Sequence, residues 1–111
     1  MSSHRPTLDA RAVMRVLKAL ADPTRFRITQ EIAAAGELTC TQLTELFDVS
    51  QPTISHHIKI LNDAGVLVRR AEGKHHYTSV DHALVAEVAR LLPELLGADA
   101  TRIARDKARA S

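Results

Sequence analysis

The sequence predicts a mainly α-helical domain that carries one small β-hairpin. Three observations carry that prediction. Apolar residues recur at helical spacing in five separate stretches. Ala-rich segments accompany only four glycines, a composition that favours helix. Between residues 66 and 80 alone the period changes from 3.6 to 2, across the turn dipeptide Glu72-Gly73.

The first helix spans Leu8–Ala21, opened by Thr7, with Val13, Val16, Leu17 and Leu20 on one face. Asp22-Pro23 restarts the chain, Asp as N-cap and Pro at the first helical position. The second helix runs from Pro23 to Ala35 with Phe26, Ile28 and Ile32 inward, and Gly36 ends it. Arg25 and Arg27 near its start are expected to be solvated, because the helix dipole disfavours cations there. Thr39 or Thr41 opens a short third helix to Asp48 with Leu43, Leu46 and Phe47 inward.

The fourth helix follows Asp48-Val49-Ser50 closely. Ser50 caps it, Pro52 sits in its first turn, and Gly65 supplies the left-handed residue past its end. Ile54, Ile58 and Leu61 form its apolar stripe. At about 100° per residue His56, Lys59 and Asp63 point away from that stripe, Thr53 and Ser55 flank it, and His57 lies nearer the packed side. Short hydroxyls, an imidazole and an ammonium suit base edges and phosphates. Val66–Arg70 and Lys74–Val80 are the hairpin strands. Asp81 caps a fifth helix to about Leu96, with Leu84, Val88, Leu91 and Leu95 in one stripe and Pro93 inside it.

Helix, tight turn, helix and a following hairpin make a winged helix-turn-helix, five helices with a two-stranded wing between the fourth and fifth. The expected domain is 8–96, with dimerisation helices at 8–21 and 81–96. It is flanked by a flexible tail at 1–7 and a polar helical or disordered tail at 97–111. Val13, Leu17, Leu84, Val88, Leu91 and Leu95 are the candidate dimer interface; alternatively, these helices only cover their own domain.

Composition bounds the function. The 111 residues suffice for one modest domain, and at 3% aromatics the core is aliphatic. No apolar run approaches the ~20 residues of a membrane span, and Met1–Pro6 lacks a signal-peptide segment. With a single cysteine, the expectation is a cytoplasmic protein without disulfides. The net charge is +2, and the excess lies in residues 51–80, where Lys59, Arg69, Arg70 and Lys74 face only Asp63 and Glu72. Four of the six histidines fall there too, so this third of the chain suits an anionic partner. Gly-rich phosphate loops and catalytic carboxylate spacings are lacking, so no enzyme and no cofactor are expected. A winged-helix protein-interaction module is the alternative class, and the concentrated basic charge argues against it.

Three stretches resemble the ArsR/SmtB family of bacterial winged-helix repressors: Leu20–Arg25, Ser50–Leu61, and Ala64–Leu67 with Glu72–Tyr77. The resemblance covers about residues 8–96. It implies a homodimer, a roughly palindromic double-stranded DNA operator, and release by an inducer that the sequence does not name. By the same resemblance Gln51, Ser55 and His56 read bases in the major groove. Thr53, His57, Lys59, Arg70, Lys74 and His75 meet phosphates or the minor groove.

Metal sensing is common in that family, and its ligands do not carry over. In Glu37–Leu43 the family's two cysteine positions are Thr39 and Thr41, with Cys40 between them. At the fifth helix Asp81-His82 is followed by Ala83 where the family places His, and only Glu94 stands later. Neither His56-His57 nor His75-His76 can easily chelate one ion, because each pair diverges. The expectation is no metal. A non-standard site from His4, His82 and Glu94 across a dimer is the alternative. Cys40 is either an oxidation switch or a small residue packed beneath a helix.

Overall fold

The computed structural model describes residues 8–97, so the tails at 1–7 and 98–111, with Thr7 and His4, lie outside the described residues. The order is α1 (Ala10–Leu20), α2 (Pro23–Ala35), β1 (Leu38–Thr39), α3 (Cys40–Leu46), α4 (Gln51–Ala64), β2 (Leu67–Glu72), β3 (His75–Val80) and α5 (His82–Leu95). The three antiparallel strands lie in the order β1-β3-β2.

Capping chemistry sets most boundaries. Asp9, not a residue at position 7, caps α1, its carboxylate accepting the Ala12 N–H at 2.8 Å. Asp22 accepts the Arg25 N–H at 2.9 Å, Thr39 and Gln42 form a reciprocal capping box, and Ser50 and Asp81 cap α4 and α5. Gly36 and Gly65 close α2 and α4 at φ 89° and 90°. Gly73 alone has positive φ in the two-residue hairpin connection, as in a type II′ turn.

The core is aliphatic. Ile28 and Ile32 of α2, Leu43 of α3, Ile54 and Leu61 of α4 and Val66 are all fully buried. Helix α4 is the hub, packed against α1, α2, α3 and β2. Its rotation is therefore set by three buried residues, Ile54, Ile58 and Leu61.

Several expectations are corrected. Phe26 is 49% exposed, because it lies two residues and so ~200° from Ile28 on the helix. Helix α3 ends at Leu46 rather than Asp48; Phe47 leaves in extended conformation and Leu46 stays on the surface. The sheet has three strands, since Leu38-Thr39 pairs with Thr78-Tyr77 through a two-residue strand too short to show a period. Arg25 is not simply solvated: its Nε donates to the Ala19 carbonyl at 2.7 Å, closing the end of α1. Arg27 lies over the Phe47 ring at 5.1 Å. Helix α5 runs past Pro93, with Leu96 N–H donating to the Leu92 carbonyl.

The expected dimer stripe divides in the single chain. Val13, Leu84, Val88 and Leu91 are buried in the chain's own core, because α1 packs on α4 and α5 packs on α1. Spacing found the inward stripe of each helix. The apolar surface left open includes Leu95 of that stripe together with Met14 and Leu96 beside it, with Leu17 and Leu92 half-buried.

Candidate nucleic-acid interface

With Ile54, Ile58 and Leu61 turned inward, α4 presents Gln51, Thr53, Ser55, His56 and Lys59 to solvent. Gln51 and His56 have no hydrogen-bond partner among the described residues, so their polar groups are open to a ligand. The Thr53 hydroxyl is already used, 2.9 Å from Ser50 Oγ at the cap. Ser55 Oγ lies 3.4 Å from Cys40 Sγ at the start of α3. Lys59 pairs with Asp63 at 2.9 Å, both ends exposed.

His57 behaves differently from its neighbour. It is half-buried, and its Nδ1 is buried without a partner. The Asp22 carboxyl is held below the usual range first by the Arg25 backbone N–H it accepts, then by the charges of Arg25 and His57. Thus His57 is partly packed under α4, and His56 is exposed.

The hairpin has two chemically distinct faces. Opposed residues share a face, so Arg69 and Thr78 lie with Ala71 and His76 on one side, and Arg70 and Tyr77 lie with Glu72 and His75 on the other. The first side meets α4 across a cleft of about 460 Å³ whose lining includes Ser55, Ile58, Lys59, Arg69, His76 and Thr78. A neighbouring groove of about 500 Å³ brings Gln51 together with Thr39, Gln42, Lys74 and His75. Cys40 and His76 line both.

Arg70 lies outside both grooves. Its guanidinium is 2.7 Å from Glu37 and 3.2 Å from Glu72, and it stacks 4.6 Å from the centre of the Tyr77 ring. Those carboxylates push its pKa up. Among the sequence-predicted contacts, then, Gln51, Lys74 and His75 share one groove, and Ser55 and Lys59 share the other. Thr53 and His56 stand on the exposed helix face. The sequence placed Arg69 and His76 within the basic middle third but did not single them out as contacts, and both line the cleft against α4. Strand alternation could have found Arg69, because Leu67 is buried and the residue two further on shares its face.

Donors, imidazoles and ammonium groups thus converge on one surface around α4. This surface can hydrogen-bond and neutralise a polyanion.

Comparison with known proteins places this arrangement. A family described as a helix-turn-helix domain matches residues 20–70. The chain is 36% identical over 77 residues to an arsenical resistance operon repressor of Staphylococcus aureus, covering 69% of this chain and 73% of that protein. It is 38% identical over 96 residues to the arsenic resistance transcriptional regulator ArsR1 of Pseudomonas putida, covering 80% and 75% respectively. The chain belongs to the ArsR family of winged helix-turn-helix transcriptional regulators. The fold agrees: an ArsR-like transcriptional regulator from Rhodococcus sp. RHA1 superposes with TM-score 0.76 at 24% identity, over 91% of this chain and 94% of that one. ArsR-family proteins are DNA-binding regulators rather than an enzyme family.

In this ArsR-family chain the metal positions named by the resemblance do not fit a metal. Thr39 is committed to the α3 capping box, its hydroxyl accepting the Gln42 N–H at 3.1 Å. Asp81 Oδ1 accepts the Leu84 N–H at 3.0 Å at the α5 cap. Among the described residues no three of His, Cys, Asp and Glu cluster closely enough to hold an ion. The alternative site relied on His4, outside the described residues. Nor is any described helix long and apolar enough to cross a membrane.

Proposed function

We propose that the protein is a homodimeric, cytoplasmic transcriptional repressor, without catalytic activity, that reads a roughly palindromic DNA operator. The observation that carries this reading is the exposed face of α4, where Gln51 and His56 keep their hydrogen-bonding groups open beside the two grooves that the hairpin closes. On this reading Gln51, Ser55 and His56 meet base edges. Thr53, Lys59, Lys74 and His75 meet the backbone. His57, half-buried with its Nδ1 enclosed, supports α4 rather than touching DNA.

The names of relatives support repression, including arsenical resistance operon repressors and the transcriptional repressor SdpR of Bacillus subtilis. A related fold from Mycobacterium bovis is described as a homodimeric winged helix-turn-helix DNA-binding domain. Dimerisation through α1 and α5 would cover Met14, Leu95 and Leu96, which the single chain leaves exposed. The inducing signal is proposed to be other than a metal chelated at α3 or α5, since neither position offers a ligand set.

Footprinting on the DNA upstream of the protein's own gene tests this. Two protected half-sites about one helical turn apart, unchanged by zinc or by a chelator, are expected. A single unpaired protected segment would remove the dimer, and zinc-dependent loss of protection would restore metal sensing.

A further inference from the structure

Adjacent arginines on β2 are engaged in opposite ways. Arg70 is satisfied within the protein: Nη2 and Nε reach the two oxygens of Glu37, Nη1 reaches Glu72, and the guanidinium plane covers Tyr77. Glu37 precedes β1, so this contact ties the hairpin to the segment that opens α3. Were Arg70 to leave for a phosphate, two carboxylates would be uncovered against a polyanion. Arg69 has no ion-pair or hydrogen-bond partner among the described residues and lines the cleft against α4. The other cation there, Lys59, is tied to Asp63.

We infer that of the two β2 arginines Arg69, and not Arg70, carries its charge to a DNA phosphate, and that Arg70 is a positioning residue that sets the hairpin against the protein body through Glu37. The inference rests on the DNA-binding reading above. It reverses the assignment that the family resemblance implies, because of the two adjacent arginines the one nearer the hairpin tip is already neutralised. Charge is then carried to the DNA from the face that also holds Ser55 and His76.

The test is the salt dependence of binding to a fluorescein-labelled mixed-sequence 30-bp duplex. Arg69→Ala is expected to lower the slope of log K against log salt by about 0.9 for each phosphate no longer neutralised, about twice that for a dimer. Arg70→Ala is expected to weaken binding at every salt concentration with the slope unchanged. Glu37→Gln separates positioning from charge. Removing an acidic group near DNA should tighten binding by simple electrostatics, whereas removing the Arg70 anchor should weaken it several-fold. The double variant Glu37→Gln/Arg70→Ala should then be no weaker than Arg70→Ala alone. A reduced slope for Arg70→Ala with none for Arg69→Ala, or tighter binding by Glu37→Gln, overturns the inference. Failure of the wild-type protein to bind any duplex overturns the DNA-binding reading and this inference with it.

Discussion

The sulfur of Cys40 lies 3.4 Å from the hydroxyl oxygen of Ser55. The first residue of α3 thereby touches the outward flank of α4, between the two grooves. A thiol adduct at Cys40 must push against the face proposed to enter DNA. Alkylation with N-ethylmaleimide should weaken duplex binding by about tenfold, the equivalent of ~1.4 kcal/mol. Cys40→Ser should keep the polar contact, bind normally and ignore the reagent. Anisotropy with and without reagent distinguishes them, and equal sensitivity of the two proteins would clear Cys40 of any influence on α4.

Gly65 meets two demands at once. Its φ of 90° is a region L side chains rarely adopt, and a Cβ there would sit 2.8 Å from Leu84 Cδ1. Gly65→Ala should cost about 1–3 kcal/mol in urea unfolding. Gly36 shares the positive φ with open space around it, so Gly36→Ala should cost less. A larger loss at Gly36 would mean that the Leu84 contact is unimportant.

How much of this was legible in the sequence depends on the physical range of each signal. Ser50, Asp22-Pro23, Gly36, Gly65 and Asp81 act through bonds a few residues long, and the boundaries they imply appear in the fold. Strand β1 was illegible because two residues show no period and its pairing partner lies 38 residues or more away. Periodicity found the buried stripes of α1 and α5, yet it could not say whether Val13 or Val88 meets its own chain or a second one. At the site, the outward set on α4 follows from helix rotation alone. The division between Arg69 and Arg70 does not, because it depends on Glu37, 33 residues before Arg70.

The structure also sets the direction of pH dependence. Asp22 is held below its ordinary carboxyl range by the Arg25 backbone N–H, and Glu87 by the Arg90 guanidinium. A depressed carboxyl contributes stability above its unfolded pKa and loses it as pH falls through the folded value. Melting temperature should therefore hold between pH 7 and 5 and fall below about pH 4. Asp22→Asn should shrink that fall, as read by circular dichroism. An unchanged acid limb would remove Asp22 from the balance.

The interface proposal separates two kinds of leucine. Leu95 and Leu96 are 46% and 73% exposed, so Leu95→Glu/Leu96→Glu should leave a folded monomer in sedimentation velocity. Leu91, 7% exposed, belongs to the core. Leu91→Ala should cost about 2–5 kcal/mol of folding stability rather than act on association alone. A dimer that survives the double Glu variant would place the contact elsewhere.

The most direct measurement is an anisotropy titration of the protein on DNA upstream of its own gene against a shuffled duplex of equal composition. Preference for the upstream DNA by at least ~10³-fold at physiological salt is expected. Gln51→Ala or His56→Ala should narrow it by ~1–3 kcal/mol, while Lys74→Ala weakens both duplexes alike. Equal affinity for the two duplexes, or a uniform loss in all three variants, would contradict sequence reading by the outward face of α4.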